Sequence, residues 1–176
     1  ELGSSFKPLT AALAIEEGKV GPKTLVDTKG PMRWGRFTIH DFHNYGPRLT
    51  VEDVLVKSSN IGAARLAIAS GTAAQKRFLG EIGMLAPVPV ELSEAARTTP
   101  MVPANWSDIS TITIGFGHGI AVTPLHLATA YAMLANGGLK VHPSIVASDA
   151  RPTEADRVIS SRTSQEIREM LRQVVV

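Results

Sequence analysis

Glu1-Leu2-Gly3-Ser4-Ser5-Phe6-Lys7-Pro8 runs directly into Leu9-Thr10-Ala11-Ala12-Leu13-Ala14-Ile15-Glu16-Glu17-Gly18, and the junction decides how the rest of the chain is read. The second string is rich in Ala and Leu and is closed by Gly, which predicts a helix over 9–17. Serine ahead of the run suits an N-cap, Pro8 a first turn and Gly18 the position after the last turn. Ser4 and Lys7 stand three residues apart, so they share a helix face. A serine hydroxyl attacks only when a neighbouring base takes its proton. A lysine amine can be that base when burial, a nearby cation or a helix N-terminus lowers its proton affinity. The helix dipole disfavours a cation in the first turn, which is poor for stability and useful for a neutral amine. The same residues also suit a plain serine cap beside a solvated lysine.

Further along, Val56-Lys57-Ser58-Ser59-Asn60-Ile61-Gly62 interrupts an apolar run. Thr50 with Glu52 and Asp53 reads as a helix start. Val51, Val54, Leu55, Ser58 and Ile61 keep helical spacing, and residues 63–69 continue to a stop at Gly71. Ser58, Ser59 and Asn60 then fall midway along a helix. There they require either satisfied hydrogen bonds or a polar cavity. Residues 72–82 form a second amphipathic helix, Thr123-Pro124 caps a third that runs to Ala135, and Ser160 or Ser161 caps a last one over about 163–174. Residues 19–45 read as loop with an extended piece at 36–39. The Thr/Ile alternation at 109–114 predicts a short strand.

The 176 residues suit one domain, and 44% hydrophobic with 19% charged residues supports a core and argues against disorder. Eighteen basic against sixteen acidic residues leave a net charge of +2 without a basic run, which argues against nucleic acid. Cysteine is absent, so disulfides, thiolate metal sites and a cysteine nucleophile are excluded. Gly115-Phe116-Gly117-His118-Gly119 is not G-x-G-x-x-G and no Walker sequence occurs, so a phosphate loop is disfavoured. His40-x-x-His43 has no third ligand in view and reads as a turn, so no metal is expected.

Taken together, Ser4-x-x-Lys7 and Ser58-x-Asn60 match two of the three signatures of penicillin-interacting serine enzymes. Glu1-Leu2-Gly3-Ser4-Ser5-Phe6-Lys7-Pro8 resembles the E-P-G-S-[ST]-x-K-P of class B penicillin-binding proteins, the division-specific peptidoglycan transpeptidases. Thr38-Ile39-His40-Asp41-Phe42-His43-Asn44-Tyr45-Gly46 is similar to their I-x-D-x-H-N-Y-G loop. Val56 to Gly62 resembles K-S-S-N-x-G, and Gly115 to Leu125 resembles G-x-G-x-x-x-V-T-P-L. The strings keep the family's order along essentially the whole chain.

The resemblance implies an α+β fold of the penicillin-binding transpeptidase and serine β-lactamase type. It implies a D,D-transpeptidase that cross-links peptidoglycan stem peptides through an acyl-serine and is acylated by β-lactams. Ser4 would be the nucleophile, Lys7 the base and Ser58 the proton relay. Asn60 would hold the substrate amide and help position Lys7, and Gly117 would belong to the substrate-binding set. No cofactor is implied. The implied partners are stem peptides, β-lactam antibiotics and, through a full-length parent, divisome membrane proteins. The implied location is the periplasmic face of the bacterial inner membrane, with the anchor outside this chain.

Two departures stand out. Leu2 replaces the family's proline, and none of the seven lysines is followed by [ST]-G, so the third signature, K-[ST]-G, is absent. In the family that motif lies on a strand that supplies half of the oxyanion hole. The expectation is therefore a partial transpeptidase domain over 1–176, truncated at both ends. It would be mostly the α-rich lobe, with most of the central sheet missing, and slow to acylate alone. Two rival readings share the Ser/Lys pair: a β-lactam-binding sensor or scaffold without turnover, and a serine β-lactamase or D,D-carboxypeptidase.

Overall fold

The computed structural model describes residues 1–147 and 149–176. Six helices carry the architecture: α1 (Lys7–Glu16), α2 (Val51–Val56), α3 (Asn60–Glu81), α4 (Asp108–Gly115), α5 (Pro124–Ala135) and α6 (Ser161–Gln173). Four short strands, β1 (Leu25–Asp27), β2 (Met32–Trp34), β3 (Phe37–Ile39) and β4 (Arg48–Thr50), form two separate antiparallel ribbons. β1 pairs with β4, with Val26 opposite Leu49, and β2 pairs with β3, with Met32 opposite Ile39. The extended piece expected at 36–39 is therefore β3. No helix among the described residues is long and apolar enough to cross a membrane.

α1 is the axis of the lobe. Every residue from Lys7 to Ala14 is buried, the pattern of a helix surrounded by neighbours rather than one lying on a surface. It packs against α2, α3, α5 and α6. Phe6, Leu9 and Leu13 join Leu66, Phe78, Leu79, Met133, Leu134, Ile167 and Met170 in one core. At the far end of α1, Glu16 Oε2 accepts from Ser160 N (3.0 Å), Ser160 Oγ (2.9 Å) and Thr163 Oγ1 (2.5 Å). One carboxylate thus ties the cap residue and first turn of α6 to the end of α1. The caps at Thr50, Thr123 and Ser160 form as expected, each side chain accepting from the N–H three residues on.

Several expectations are overturned: residues 19–45 hold β1 and β2 besides the piece at 36–39, and no serine side chain caps α1. Residues 109–114 are not a strand; they belong to α4, capped reciprocally by Ser107 and Ser110. Thr111, Ile112 and Ile114 are all buried, so alternation does not describe the burial, and packing against α3 outweighs β-propensity. Residues 58–60 are not mid-helix either. α2 ends at Val56, Ser58 turns to φ 55°, and Ser59 caps α3. The small polar side chains bond locally as a cap instead of continuing the ladder. Gly71 (φ 81°, ψ 163°) breaks α3 where a stop was expected, and the helix expected over 72–82 follows directly.

α3 and α4 cross closely because Gly115 has no side chain. A Cβ there would lie 2.6 Å from Ala67 Cβ and 3.1 Å from Ala63 O. Gly115→Ala is therefore expected to destabilise the protein by about 1–3 kcal/mol, the usual range for overpacking. Urea unfolding midpoints of the two proteins check this, and equal midpoints would contradict it.

Candidate active site

The turn that carries Ser4 is held from several sides. Gly3–Phe6 form one 3-10 turn leading into α1. Ser5 Oγ donates to Leu2 O (2.6 Å), and Tyr131 OH, from α5, donates to Ser5 O (2.7 Å). Gly3 N donates to Gly117 O at 3.1 Å. Glu1 accepts from Gly119 N at 3.1 Å and lies 3.1 Å from His118 Nδ1. Those two hydrogen bonds, Gly119's first, hold the Glu1 carboxyl below its ordinary range.

Gly117 has a φ of +88°, and a Cβ on it would fall 2.0 Å from Gly3 O. Only glycine permits that approach. Gly117 was expected among the substrate-binding residues, but the space beside it is filled by the backbone of Gly3. Its contact is with the turn that aims Ser4. The glycine-rich segment is thus a seat for another stretch of backbone.

Ser4, Lys7 and Ser58 meet. Lys7 Nζ lies 3.0 Å from Ser4 Oγ and 2.8 Å from Ser58 Oγ, and Ser58 Oγ donates to Ser4 Oγ at 2.9 Å. These three atoms close a triangle of hydrogen bonds. Lys7 Nζ also donates to Ser58 O at 2.6 Å. The Lys7 side chain is only 2% exposed, whereas Ser4 and Ser58 face solvent. The Ser4 hydroxyl is therefore open to solvent while the amine behind it is not.

The Ser58 turn depends on a loop that follows β3. Asp41 Oδ2 accepts from Ser59 Oγ (2.7 Å) and Asp41 Oδ1 accepts from Ile61 N (2.9 Å). His40 O accepts from Asn60 Nδ2 at 3.0 Å, and Ser59 Oγ accepts from Gly62 N at 2.9 Å. Ser58 is the one positive-φ residue other than glycine among those described, a conformation that costs an L-residue roughly 1–2 kcal/mol. Hydrogen bonds to a charged group contribute about 1.5–3 kcal/mol each, enough for Asp41 to offset it. Asn60 was expected to help position Lys7. Its amide is directed to His40 instead, and the three N–H bonds of Lys7 run to Ser4 and Ser58.

Burial lowers the Lys7 pKa to about 8, and the negative charge of Asp41 works against that drop. At pH 7 a pKa of about 8 leaves about one amine in eleven neutral, against about one in three thousand at the ordinary lysine value. The arrangement supplies an accessible hydroxyl, a base beside it and a second hydroxyl bridging the two, the parts needed for acyl transfer. Among the described residues no group of three His, Cys, Asp or Glu could hold a metal ion. His43 sits edge-on to Phe42 and Tyr45 at 4.8 and 5.9 Å.

Sequence reasoning missed three contributors: Asp41, Tyr131 and the carboxylate of Glu1. Asp41 lies inside the quoted 38–46 loop, so its position was marked although its job was not. Tyr131 and Glu1 act through contacts spanning more than a hundred residues, for which no local pattern exists.

The whole chain, residues 1–176, matches the family model for the penicillin binding protein transpeptidase domain. It is 36% identical over 179 residues to the probable peptidoglycan D,D-transpeptidase FtsI of Caulobacter vibrioides, with 100% of this chain and 30% of that protein covered. Across similar curated relatives the chain spans less than half of their length. The apo transpeptidase domain of Burkholderia pseudomallei penicillin-binding protein 3 superposes with a TM-score of 0.90 at 34% identity, covering 100% of this chain and 54% of that one. Penicillin-binding protein 3 of Mycobacterium tuberculosis, solved with aztreonam, gives 0.85 at 31% identity, covering 99% and 41%. With the family model matched along its whole length, the chain belongs to the penicillin-binding protein transpeptidase domain family.

Proposed function

We propose that this chain is the helix-rich part of a larger transpeptidase domain that cross-links peptidoglycan stem peptides and is acylated by β-lactams. The observation that carries the reading is the triangle of Ser4 Oγ, Lys7 Nζ and Ser58 Oγ, closed at 2.8–3.0 Å. The relatives' name, peptidoglycan D,D-transpeptidase, and the aztreonam complex of a structural neighbour support the substrate and the inhibitor. The coverage of 54% of the Burkholderia chain supports the reading as part of a domain.

In this mechanism neutral Lys7 takes the proton of Ser4 as Ser4 Oγ attacks the carbonyl carbon of the penultimate D-Ala. The Ser4 N–H, at the opening of the helical turn, donates to the developing oxyanion. The tetrahedral centre collapses to an ester. The amide C–N bond breaks, and the proton held on Lys7 reaches the leaving D-Ala amine through Ser58. A second stem peptide's amine then attacks the ester, its proton returns through the same relay, and the Ser4 hydroxyl is restored. Asn60 binds the substrate's peptide amide from the rim. The reaction takes place at the periplasmic face of the inner membrane, where stem peptides are found. Divisome membrane proteins are the partners of the longer protein.

Fluorescent penicillin applied to the full-length protein tests this. Ser4→Ala is expected to abolish covalent labelling, and Lys7→Ala to slow it by about 10²–10⁴-fold, the worth of a general base. Labelling that survives Ser4→Ala, or rapid release of hydrolysed drug, overturns the transpeptidase reading.

The pH dependence follows from Lys7. Acylation needs the neutral amine, so the rate should fall tenfold per unit below about pH 8 and level off above it. A stopped-flow acylation profile spanning about two pK units on either side of that value checks the limb. A flat profile would remove Lys7 from the role of base.

A further inference from the structure

We infer that Asp41 is a positioning residue, fixing the turn that carries Ser58 and, through that turn, the seat of the Lys7 amine. The inference rests on the acyl-transfer reading of the site and adds to it a residue that does not touch the reacting atoms.

The hydrogen bonds of residues 40 and 41 cover the turn residue by residue. Ser59 donates to one oxygen of Asp41, Asn60 to the carbonyl of His40, and Ile61 N to the other oxygen of Asp41, at 2.7, 3.0 and 2.9 Å. Three consecutive residues are thus tied to one dipeptide. Immediately before them stands Ser58, at φ 55°. Both of its oxygens, backbone and side chain, receive Lys7. A backbone in the left-handed region persists only where its surroundings over-determine it. Ser59, fully buried, transmits the constraint, because its Oγ donates to Asp41 and accepts from Gly62 N together. If the carboxylate goes, Ser58 can relax toward an ordinary helical or extended conformation. Its carbonyl then leaves the amine.

The charge of Asp41 is the second half of its work. Lys57 is exposed and stands 4.0 Å from Asp53. His40 and His43 lie on the Asp41 loop, and His118 on the glycine turn is paired with Glu1. Among these groups on the elements around Lys7, Asp41 is the one whose charge acts on the amine, favouring its protonated form against burial. Geometry and charge can be separated by substitution. In Asp41→Asn the amide oxygen still accepts from Ile61 N and the amide N–H can meet a lone pair of Ser59 Oγ, while the charge is gone. Asp41→Ala removes both and leaves the Ile61 N–H and the Ser59 hydroxyl without their acceptor.

The test uses the full-length protein labelled with ¹³C-lysine and titrated by NMR, alongside the pH profile of β-lactam acylation. In Asp41→Asn the Lys7 resonance, assigned through Lys7→Ala, should titrate at lower pH than in the parent. The rising limb of the acylation profile should move the same way, with a plateau within about tenfold of the parent's. Asp41→Ala should lower the plateau by about 10²-fold, the scale of loss that a 1 Å misplacement brings. A parent-like plateau in Asp41→Ala overturns the inference. So does an Asp41→Asn protein whose Lys7 titration and pH profile coincide with the parent's. Should Asp41→Ala fail to fold, Asp41→Glu, which keeps the charge and displaces the carboxylate by one methylene, takes its place: a lowered plateau supports the positioning role and a parent-like one overturns it. A parent protein that no β-lactam acylates sinks the transpeptidase reading instead, and the lysine titration, which needs no drug, then decides for Asp41: a Lys7 that titrates in Asp41→Ala as it does in Asp41→Asn overturns the positioning role, and a further change in Asp41→Ala supports it.

Discussion

Lys7 puts a primary amine at 2% exposure with oxygen atoms of Ser4 and Ser58 at 2.6–3.0 Å. Withdrawing an ammonium from water is unfavourable, and the protein answers by holding on to the proton less tightly. The surroundings must supply enough hydrogen bonding to keep the side chain in place and too little charge to restore its ordinary basicity. Three neutral oxygens meet that requirement. A carboxylate in direct contact would defeat it; Asp41 instead bonds to Ser59 and Ile61.

Such a balance needs a rigid frame, and α1 provides it. The helix is enclosed along the stretch that carries Lys7, and its two ends are tied differently. Near its start the turn carrying Ser4 is pinned by Gly117 and Tyr131; at its end Glu16 accepts from Ser160, the cap residue of α6. The Ser58 side of the site belongs to α3, which packs on α1 across the same core. The distance between Ser4 and Ser58 is therefore set by helix packing, which gives little. The fine aim of Ser58 is set by Asp41, in the loop that follows β3.

This division also explains what could be read from the residues alone. The caps at Thr50, Thr123 and Ser160 were legible because a cap involves a hydroxyl and an N–H three residues on. The Ser58 turn was not, because helical spacing runs unbroken from Val51 to Ile61 and the interruption is stabilised by Asp41, 17 or more positions earlier. The α4 segment was misread for a similar reason: Thr/Ile alternation is local, whereas Gly115 meeting Ala63 and Ala67 is not. For the site, the order of motifs pointed to the family and named Ser4, Lys7 and Ser58. Geometry reassigned the contacts of Asn60 and Gly117, since both depend on backbone brought in from distant segments.

The paired glycines at the mouth of the site are unequal partners. A side chain on Gly3 would meet nothing within 4 Å, its only obstacle being the φ of +53°; a side chain on Gly117 would collide with the backbone of Gly3. Over long evolutionary drift, position 3 can sample asparagine or aspartate, which tolerate the left-handed region, while position 117 admits no alternative. The approach to Ser4 can therefore change shape from the residue 3 side. The residue 117 side is closed to such change.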